Sequence, residues 1–435
     1  MNYNDLPGFY KKLDESYNVV NGELESATYT NVDTNFVFSS DFARHRWFNY
    51  KEGFSPILVE KIFEEYGVDK DSIVCDPFCG AGTTLTVAQK HGIDSIGFEV
   101  NPFAAFITKV KTNVYTEKDI EELDKLVDEL KRKKINPNYQ FIDNEYMCRV
   151  FDEDMLQCQL NIRKYILDNQ GSKAGELLKF SWLCTLEECS LYRKAGNGLK
   201  KKKNPPTYGE KGAREYALEK IVDKVNSIKV DYDPRDNGQM PLLYIDSATT
   251  ISERIERESL DLVLFSPPYA NCFDYTKIYI IELWFGDFIH STEGQKEIRM
   301  KSIRSHCHAT WPSRYDNFHL SELNDEILPL LRQQKLWTNR IPDMLNGYFA
   351  DMEETLKQIY ATLKKGGHCS IVVSNSAYAG IIIPTDIFLA KISERIGFRV
   401  EEIEVKRLII TSSQQYKKTE HIRQYLRESI VKLEK

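Results

Sequence analysis

Four short apolar runs in this chain each stop at residues that cannot extend a strand and that carry unusual chemistry, and this recurrence restricts the fold more than any other feature. Ser72-Ile73-Val74-Cys75 runs into Asp76-Pro77-Phe78-Cys79-Gly80-Ala81-Gly82-Thr83-Thr84, Ser95 to Phe98 into Glu99, Pro241 to Ile245 into Asp246, and Leu260 to Phe265 into Ser266-Pro267-Pro268-Tyr269. Adjacent prolines hold φ near one value and donate no backbone hydrogen bond, so the last run must end and its final carbonyls must point out of the sheet. An ordinary proline turn does the same, so this feature alone does not establish a site. The glycine turn at 80–82 opens a helix over Thr83 to His91, and Asn101-Pro102 opens another after Glu99. Strand, turn and helix therefore alternate as βα units, which predicts an α/β fold around a mostly parallel sheet. Ligands bind such sheets off the carboxyl ends of the strands, where the strand order reverses, so one crevice can hold all four motifs.

Further along, Ser55 and Pro56 read as N-cap and first turn of a helix, and Glu117 to Lys134 as a strongly amphipathic helix. A helix is expected over Tyr348 to Leu363 with a Gly366-Gly367 stop, then a strand at Cys369 to Ser374, a helix from Thr385 to Ile396, and strands near Val400 to Ile410 and Ser429 to Leu433. The α/β alternation is interrupted twice. The reading is an arm over 1–43, loosely structured and packed on the domain; a core over 44–111, 241–269 and 348–435; a helical insertion over 112–240; and a second insertion over 270–347.

The chain has 435 residues, 42% of them apolar, enough for one large domain with insertions or for two domains. Its net charge of −7 means that a nucleic-acid partner must be held by a local basic patch rather than by the field of the whole molecule. Nine cysteines show no CxxC spacing, and His306-Cys307-His308 lacks a second ligand pair, so no metal is expected. Reduced thiols, a first ten residues without a leader pattern, and no uncharged apolar run near 18 residues lead to the expectation of a cytoplasmic protein that does not enter the membrane.

Of the strand-end residues, the turn Phe78 to Gly82 lets backbone approach a ligand, but it lacks the lysine of a phosphate-cradling loop and the three-glycine dinucleotide spacing. Glu99 stands where a carboxylate accepts from both ribose hydroxyls of a nucleoside, and Asp246 where one accepts from an adenine amino group. Each can equally be a solvated loop acid. Their shared position favours the nucleoside.

These stretches resemble S-adenosylmethionine-dependent amino-methyltransferases acting on DNA. Asp76 to Thr84 looks like the family's cofactor motif, with Asp76, Phe78, Gly80, Gly82, Thr83 and Asn101 carried over as contacts, and Ser266-Pro267-Pro268-Tyr269 looks like its catalytic motif. Gly53-Phe54-Ser55-Pro56 is similar to its additional motif, in which Phe54 and Ser55 contact the methionine part. Glu99 matches the ribose-binding acid, and Asp246 the adenine-contacting acid. The resemblance covers residues 44–110, 241–269 and 350–435 and implies a Rossmann-like methyltransferase sheet with two largely helical insertions, double-stranded DNA as partner and S-adenosyl-L-methionine as cofactor. A restriction-modification setting with a separate cognate endonuclease follows from the same resemblance. One departure is the length of the insertion before Asp246.

An exocyclic amine is conjugated with its ring and becomes nucleophilic when it pyramidalises. Hydrogen bonds from its two protons to Ser266 and to the Pro267 carbonyl favour that geometry, and Tyr269 is expected to stack on a base swung out of the duplex. Carbon-5 methylation of cytosine uses a cysteine nucleophile, usually in a Pro-Cys pair, and this chain has no Pro-Cys dipeptide. By resemblance, serine at the head of the four-residue motif favours cytosine N4, with adenine N6 as the alternative. An RNA base amino-methyltransferase and an inactive nucleic-acid-binding subunit are the remaining readings.

Between Arg193 and Lys224 ten Lys or Arg face four Asp or Glu, with Tyr192, Tyr208 and Tyr216 interleaved, and Lys200, Lys201, Lys202 and Lys203 are the expected phosphate contacts. A solvated surface explains such a run equally well. A second candidate is Lys296 to Tyr315, with Arg299, Lys301, Arg304, His306, His308, Trp311 and Arg314, of which Arg304 and Arg314 are the chosen DNA contacts. Asn271 to Tyr275 follows the catalytic turn and is expected to shape the base pocket, although Phe273 and Tyr275 fit a core equally.

Overall fold

A computed structural model of the chain describes residues 1–21, 41–51, 53–136, 139, 145–196, 198–235, 238–309, 311, 317–409 and 413–435. Its centre is an eight-stranded sheet: β1 (Val19–Asn21), β2 (Ile73–Asp76), β3 (Asp94–Phe98), β4 (Leu242–Tyr244), β5 (Leu260–Phe265), β6 (Leu363–Ser374), β7 (Arg399–Leu408) and β8 (Arg427–Glu434). Across the sheet the order is β1-β7-β8-β6-β5-β2-β3-β4. β8 runs antiparallel to both β7 and β6, and every other pair is parallel. From β2 the chain steps outward to β3 and β4, then returns across β2 to β5. Strand order thus reverses between β2 and β5, which opens the crevice that an α/β sheet offers a ligand. The mixed α/β fold around a mostly parallel sheet is consistent with the Rossmann-like sheet that the sequence resemblance implies.

Local chemistry sets the elements. Ser55 Oγ accepts from the Ile57 amide ahead of the helix Pro56–Glu65, and Asn101 Oδ1 accepts from the Phe103 amide ahead of Pro102–Thr112; both helices carry proline at their first position. Thr116 and Asp119 form a capping box at the start of Glu117–Arg132. β5 is covered on both faces, which is why its sequence is apolar almost throughout instead of alternating.

Three features differ from the sequence reading. The first 21 residues are built into the fold: Leu6–Asp14 is a helix whose Tyr10 hydroxyl bonds the Ile382 backbone, Asp14 pairs with Arg427, and β1 lies parallel on β7. Gly366-Gly367 does not stop a helix. The helix Ile341–Thr362 ends before it, and the two glycines sit inside β6, beside the register shift between Leu260 and Leu262, with Gly366 at φ +75°. That helix also begins seven residues earlier than the expected Tyr348, with Pro342 in its first turn.

The apolar interior divides unequally. One cluster joins the sheet to the helices Ile341–Thr362 and Thr385–Ile396, and Ile303, Phe318, Leu323 and Leu328 belong to it. A second joins the helices Glu153–Asp168, Lys173–Cys189 and Gly212–Val230 to residues 273–298 and to Phe48, Tyr50 and Phe103. The segment 273–306 therefore bridges the two clusters, above the carboxyl ends of the central strands.

Candidate active site

A cleft at the switch point encloses about 1010 Å³ including its open mouth, at the upper end of the range for small-molecule sites. β2 and β5 are hydrogen-bonded neighbours, Val74 opposite Leu262 and Cys75 opposite Val263, so the loops leaving their ends face each other across it. The cleft is lined by Phe54, Asp76, Phe78, Gly80, Thr83, Glu99, Asn101, Asp246, Ser266 and Pro268. Ten residues expected from five separate stretches of sequence thus share one cavity. Ser55, Gly82, Pro267 and Tyr269 do not line it.

The glycine turn is held from below. Gly80 and Gly82 have φ of +50° and +77°, a region in which residues with a side chain are strained. Thr108 Oγ1 donates to the Gly80 carbonyl at 2.8 Å, and a Cβ on Gly82 would lie 2.7 Å from Thr108 Cγ2. Gly82 therefore packs beneath the cleft. Asp76 orders the same turn, accepting from the Phe78 amide at 3.0 Å and from the Thr84 hydroxyl at 2.7 Å.

Glu99 accepts from the Gly80 amide at 2.9 Å and the Asn101 amide at 2.7 Å, one on each carboxylate oxygen. Each oxygen keeps a lone pair for a diol. Burial pushes Glu99 up to about 7 against the pull of the Asn101 and Gly80 amides, and pushes Asp76 up to about 7 against the Thr84 and Phe78 bonds. Partial burial of Asp246 is outweighed by the Ser247 amide at 2.9 Å and by Arg254 at 3.2 Å, which hold its carboxyl below the usual range. Asn101 Nδ2 is buried without a hydrogen-bond partner while its Oδ1 caps a helix; a ligand on the cleft wall would complete it. The donor and acceptor set suits a nucleoside.

The facing wall is built by residues after the serine-proline turn. Phe273, Asp274, Tyr275 and Thr276 line the cleft, as do Lys301, Ser302, Ser305 and His306. Asp274 is fixed by the Thr276 amide and hydroxyl and by Arg299, whose Nε lies at 3.0 Å. Burial pushes His306 down to about 4 against the pull of Asp274, so its imidazole is neutral near pH 7. Tyr50 went unnoticed in the sequence. Its ring stacks on Tyr279 at 5.0 Å and on Tyr275 at 6.0 Å and closes the cleft beside Gly80, whose Cβ would meet it at 3.0 Å. The signal lay three residues ahead of Gly53-Phe54-Ser55-Pro56, in a stretch without periodicity. Cys79 also lines the cleft, and burial together with Asp76 and Glu99 pushes its thiol well up, so it is a poor nucleophile.

Of the remaining expected site residues, Ser55 is fully buried as a helix cap. Tyr269 is half-buried, and its hydroxyl is engaged with Ser266 and Glu428. Lys200 and Lys201 are exposed on a hairpin, Tyr192–Ala195 with Gly198–Lys201, and Lys203 is exposed just beyond it. Lys202 is corrected: its ammonium donates to the carbonyls of Glu187 at 2.7 Å and Glu188 at 3.0 Å, at the end of the helix Lys173–Cys189, where it closes open backbone acceptors. Arg304 is corrected as well. It is buried beneath Gly347, and its amide, Nε and Nη2 bond Asp351 at 2.8, 3.0 and 2.8 Å, so it organises the second cleft wall from within. Arg314 lies outside the described residues. Among the described residues no helix is long and apolar enough to cross a membrane, and no group of three or more His, Cys, Asp or Glu side chains can hold a metal.

Residues 10–110, the span from the first helix through the glycine turn and Glu99, match the family model described as DNA methylase. Among curated proteins the chain is similar to the type II methyltransferase M.BsoBI of Geobacillus stearothermophilus, with 29% identity covering 98% of this chain and 91% of the relative. It is similar to the type II methyltransferase M.AvaI of a Nostoc species, with 28% identity over 83% and 80% of the two chains, and to the type II methyltransferase M.MvaI of Kocuria varians, with 22% identity over 81% of each. With the glycine turn, the acid after β3 and the serine-proline turn in one cleft, these likenesses support an amino-methyltransferase family of DNA methylases for this chain.

Proposed function

We propose that the protein methylates the exocyclic amino group of a base in a defined sequence of double-stranded DNA, with cytosine N4 as the target and S-adenosylmethionine as methyl donor. The observation that carries this reading is the placement of the Asp76–Gly82 turn and of Ser266 and Pro268 on opposing lips of one cleft, at the ends of hydrogen-bonded strands. Glu99, Asp246, Asn101 and the backbone at Gly80 would hold the nucleoside part of the cofactor, and Phe54 its methionine part. When bound there, the cofactor supplies a methyl group on a sulfonium.

The chain's own residues then act on the amine. Ser266 Oγ and the Pro267 carbonyl would accept hydrogen bonds from its two N–H groups, which draws the lone pair out of conjugation and aims it along the line of transfer; the new N–C bond replaces the donor's S–CH3 bond, and the nitrogen then releases one proton to solvent. Phe273 and Tyr275 border the space for the base, supporting extrusion of the target nucleotide from the duplex. Cys79, the thiol beside the glycine turn, is kept protonated by burial, which supports direct transfer over a covalent enzyme adduct. The serine at the head of the turn favours cytosine over adenine by family resemblance. The type II methyltransferase names of the relatives support a restriction-modification setting.

A Ser266→Ala variant tests the assignment. It should bind S-adenosylmethionine as the wild type does and lose at least about 100-fold in methyl transfer. Full transfer by that variant would move the catalytic role elsewhere.

A further inference from the structure

The reversed last strand delivers a carboxylate to the catalytic turn. Because β8 runs against its neighbours, its first residues lie at the carboxyl ends of β5 and β6. Glu428 there stands opposite Ser374 of β6 and Arg407 of β7. Its side chain is 3% exposed, and it accepts from Arg407 Nε at 2.6 Å, from Ser374 Oγ at 3.3 Å and from the Tyr269 hydroxyl at 3.0 Å. Tyr269 in turn receives the Ser266 hydroxyl at 3.2 Å.

The directions of these bonds are forced. The Arg407 guanidinium donates its Nε–H to the Glu428 carboxylate. An ionised carboxylate only accepts, so Tyr269 must give Glu428 its single proton, and the phenol oxygen is left as an acceptor for Ser266. The Ser266 proton is thereby turned away from the cleft, and the Oγ lone pairs are turned toward it. Among the described residues no other donor reaches Ser266 Oγ. A serine free to rotate would offer the incoming amine its proton as often as its lone pairs, and a donor there repels the N–H group it must receive.

We propose that Glu428, held by Arg407, is a positioning residue that acts through Tyr269 to present Ser266 as a hydrogen-bond acceptor to the base amine. The proposal rests on the amino-methyltransferase reading above. It also assigns the tyrosine hydroxyl a task distinct from ring stacking: the middle link of a one-way chain from Ser266 to Glu428.

The test uses the full-length wild type, Glu428→Gln, Tyr269→Phe and the double variant, with duplex DNA carrying the recognition site and S-adenosylmethionine in single turnover. Each single variant should transfer methyl about 10- to 100-fold more slowly, with the dissociation constants for cofactor and DNA changed less than twofold. The double variant should be no slower than the slower single, because both break the same chain. A readout independent of activity is the ¹³C resonance of Tyr269 Cζ in tyrosine-labelled protein, assigned by its loss in Tyr269→Phe. It should shift in Glu428→Gln. Tyr269→Phe keeps the ring and its packing, so it tests the chain even where Glu428→Gln folds poorly. Wild-type rates in Tyr269→Phe, multiplicative losses in the double variant, or an unmoved Cζ resonance would each overturn the proposal. A wild-type protein that methylates no DNA would instead remove the enzymatic reading beneath it.

Discussion

Gly82→Ala should be among the most damaging single-methyl additions in this protein, and its cost divides into two separable parts. The backbone there has φ of +77°, and placing alanine in that region costs about 1–2 kcal/mol. The added Cβ would also lie 2.7 Å from Thr108 Cγ2 and 2.8 Å from Thr108 Oγ1. Thr108 is fully buried, and its hydroxyl is committed to the Gly80 carbonyl at 2.8 Å, so it cannot rotate away without losing that bond. Overpacking of this kind costs about 1–3 kcal/mol, which brings the expected loss to about 2–5 kcal/mol. Urea unfolding of Gly82→Ala, Thr108→Ala and the double variant apportions it. Thr108→Ala alone should lose about 1–2 kcal/mol with its hydrogen bond and methyl, and the double variant should be about 1–3 kcal/mol more stable than the sum of the singles, since the clash is gone and only the backbone strain remains. Gly82→Ala within 0.5 kcal/mol of wild type would refute the reasoning outright, and an additive cycle would refute its steric half.

Three further outcomes follow from the same geometry. Burial sets both Glu99 and Asp76 at about 7, above their unfolded values near 4, so the native protein holds more protons across that window; stability should fall as pH rises from about 4 to about 7 and level off above, and Glu99→Gln should flatten the decline in urea midpoints taken across it. Changing Lys200, Lys201 and Lys203 together to Gln should weaken DNA binding and reduce the slope of log affinity against log salt by up to about 2.7, at about 0.9 for each phosphate no longer neutralised, whereas an unchanged slope would place the DNA elsewhere. Arg304→Ala strands Asp351 as an unpaired buried charge, which should cost about 3–5 kcal/mol in urea unfolding; near-wild-type stability with weakened DNA binding would restore Arg304 to the surface role that its sequence suggested.

The strand ends were legible because each combines a short apolar run with a residue that breaks it, and both signals are local. Asp76, Glu99, Asp246 and Ser266 follow directly, and the reversal of strand order supplied their common cleft. The central α/β sheet was readable for the same reason. Glu428 was not, because its partner Tyr269 is 159 residues away in sequence and nothing near Arg427-Glu428-Ser429 sets it apart from an ordinary polar strand start. Arg304 was misread because a sequence displays charge and hides burial: its partner Asp351 lies 47 residues on, in the middle of a helix. β1 escaped notice because three residues are too few to show alternation, and its place is fixed by pairing with Ile403 to Val405.

The most direct test of the account incubates the full-length protein with duplex DNA and S-adenosylmethionine bearing a deuterated methyl group, then digests the DNA and weighs its nucleosides by mass spectrometry. The account predicts labelled N4-methylcytosine, formed by the wild type and lost in Ser266→Ala. Labelled N6-methyladenine would correct the base and keep the mechanism. Labelled 5-methylcytosine, or an unmodified digest from a protein that does not bind S-adenosylmethionine, would contradict it.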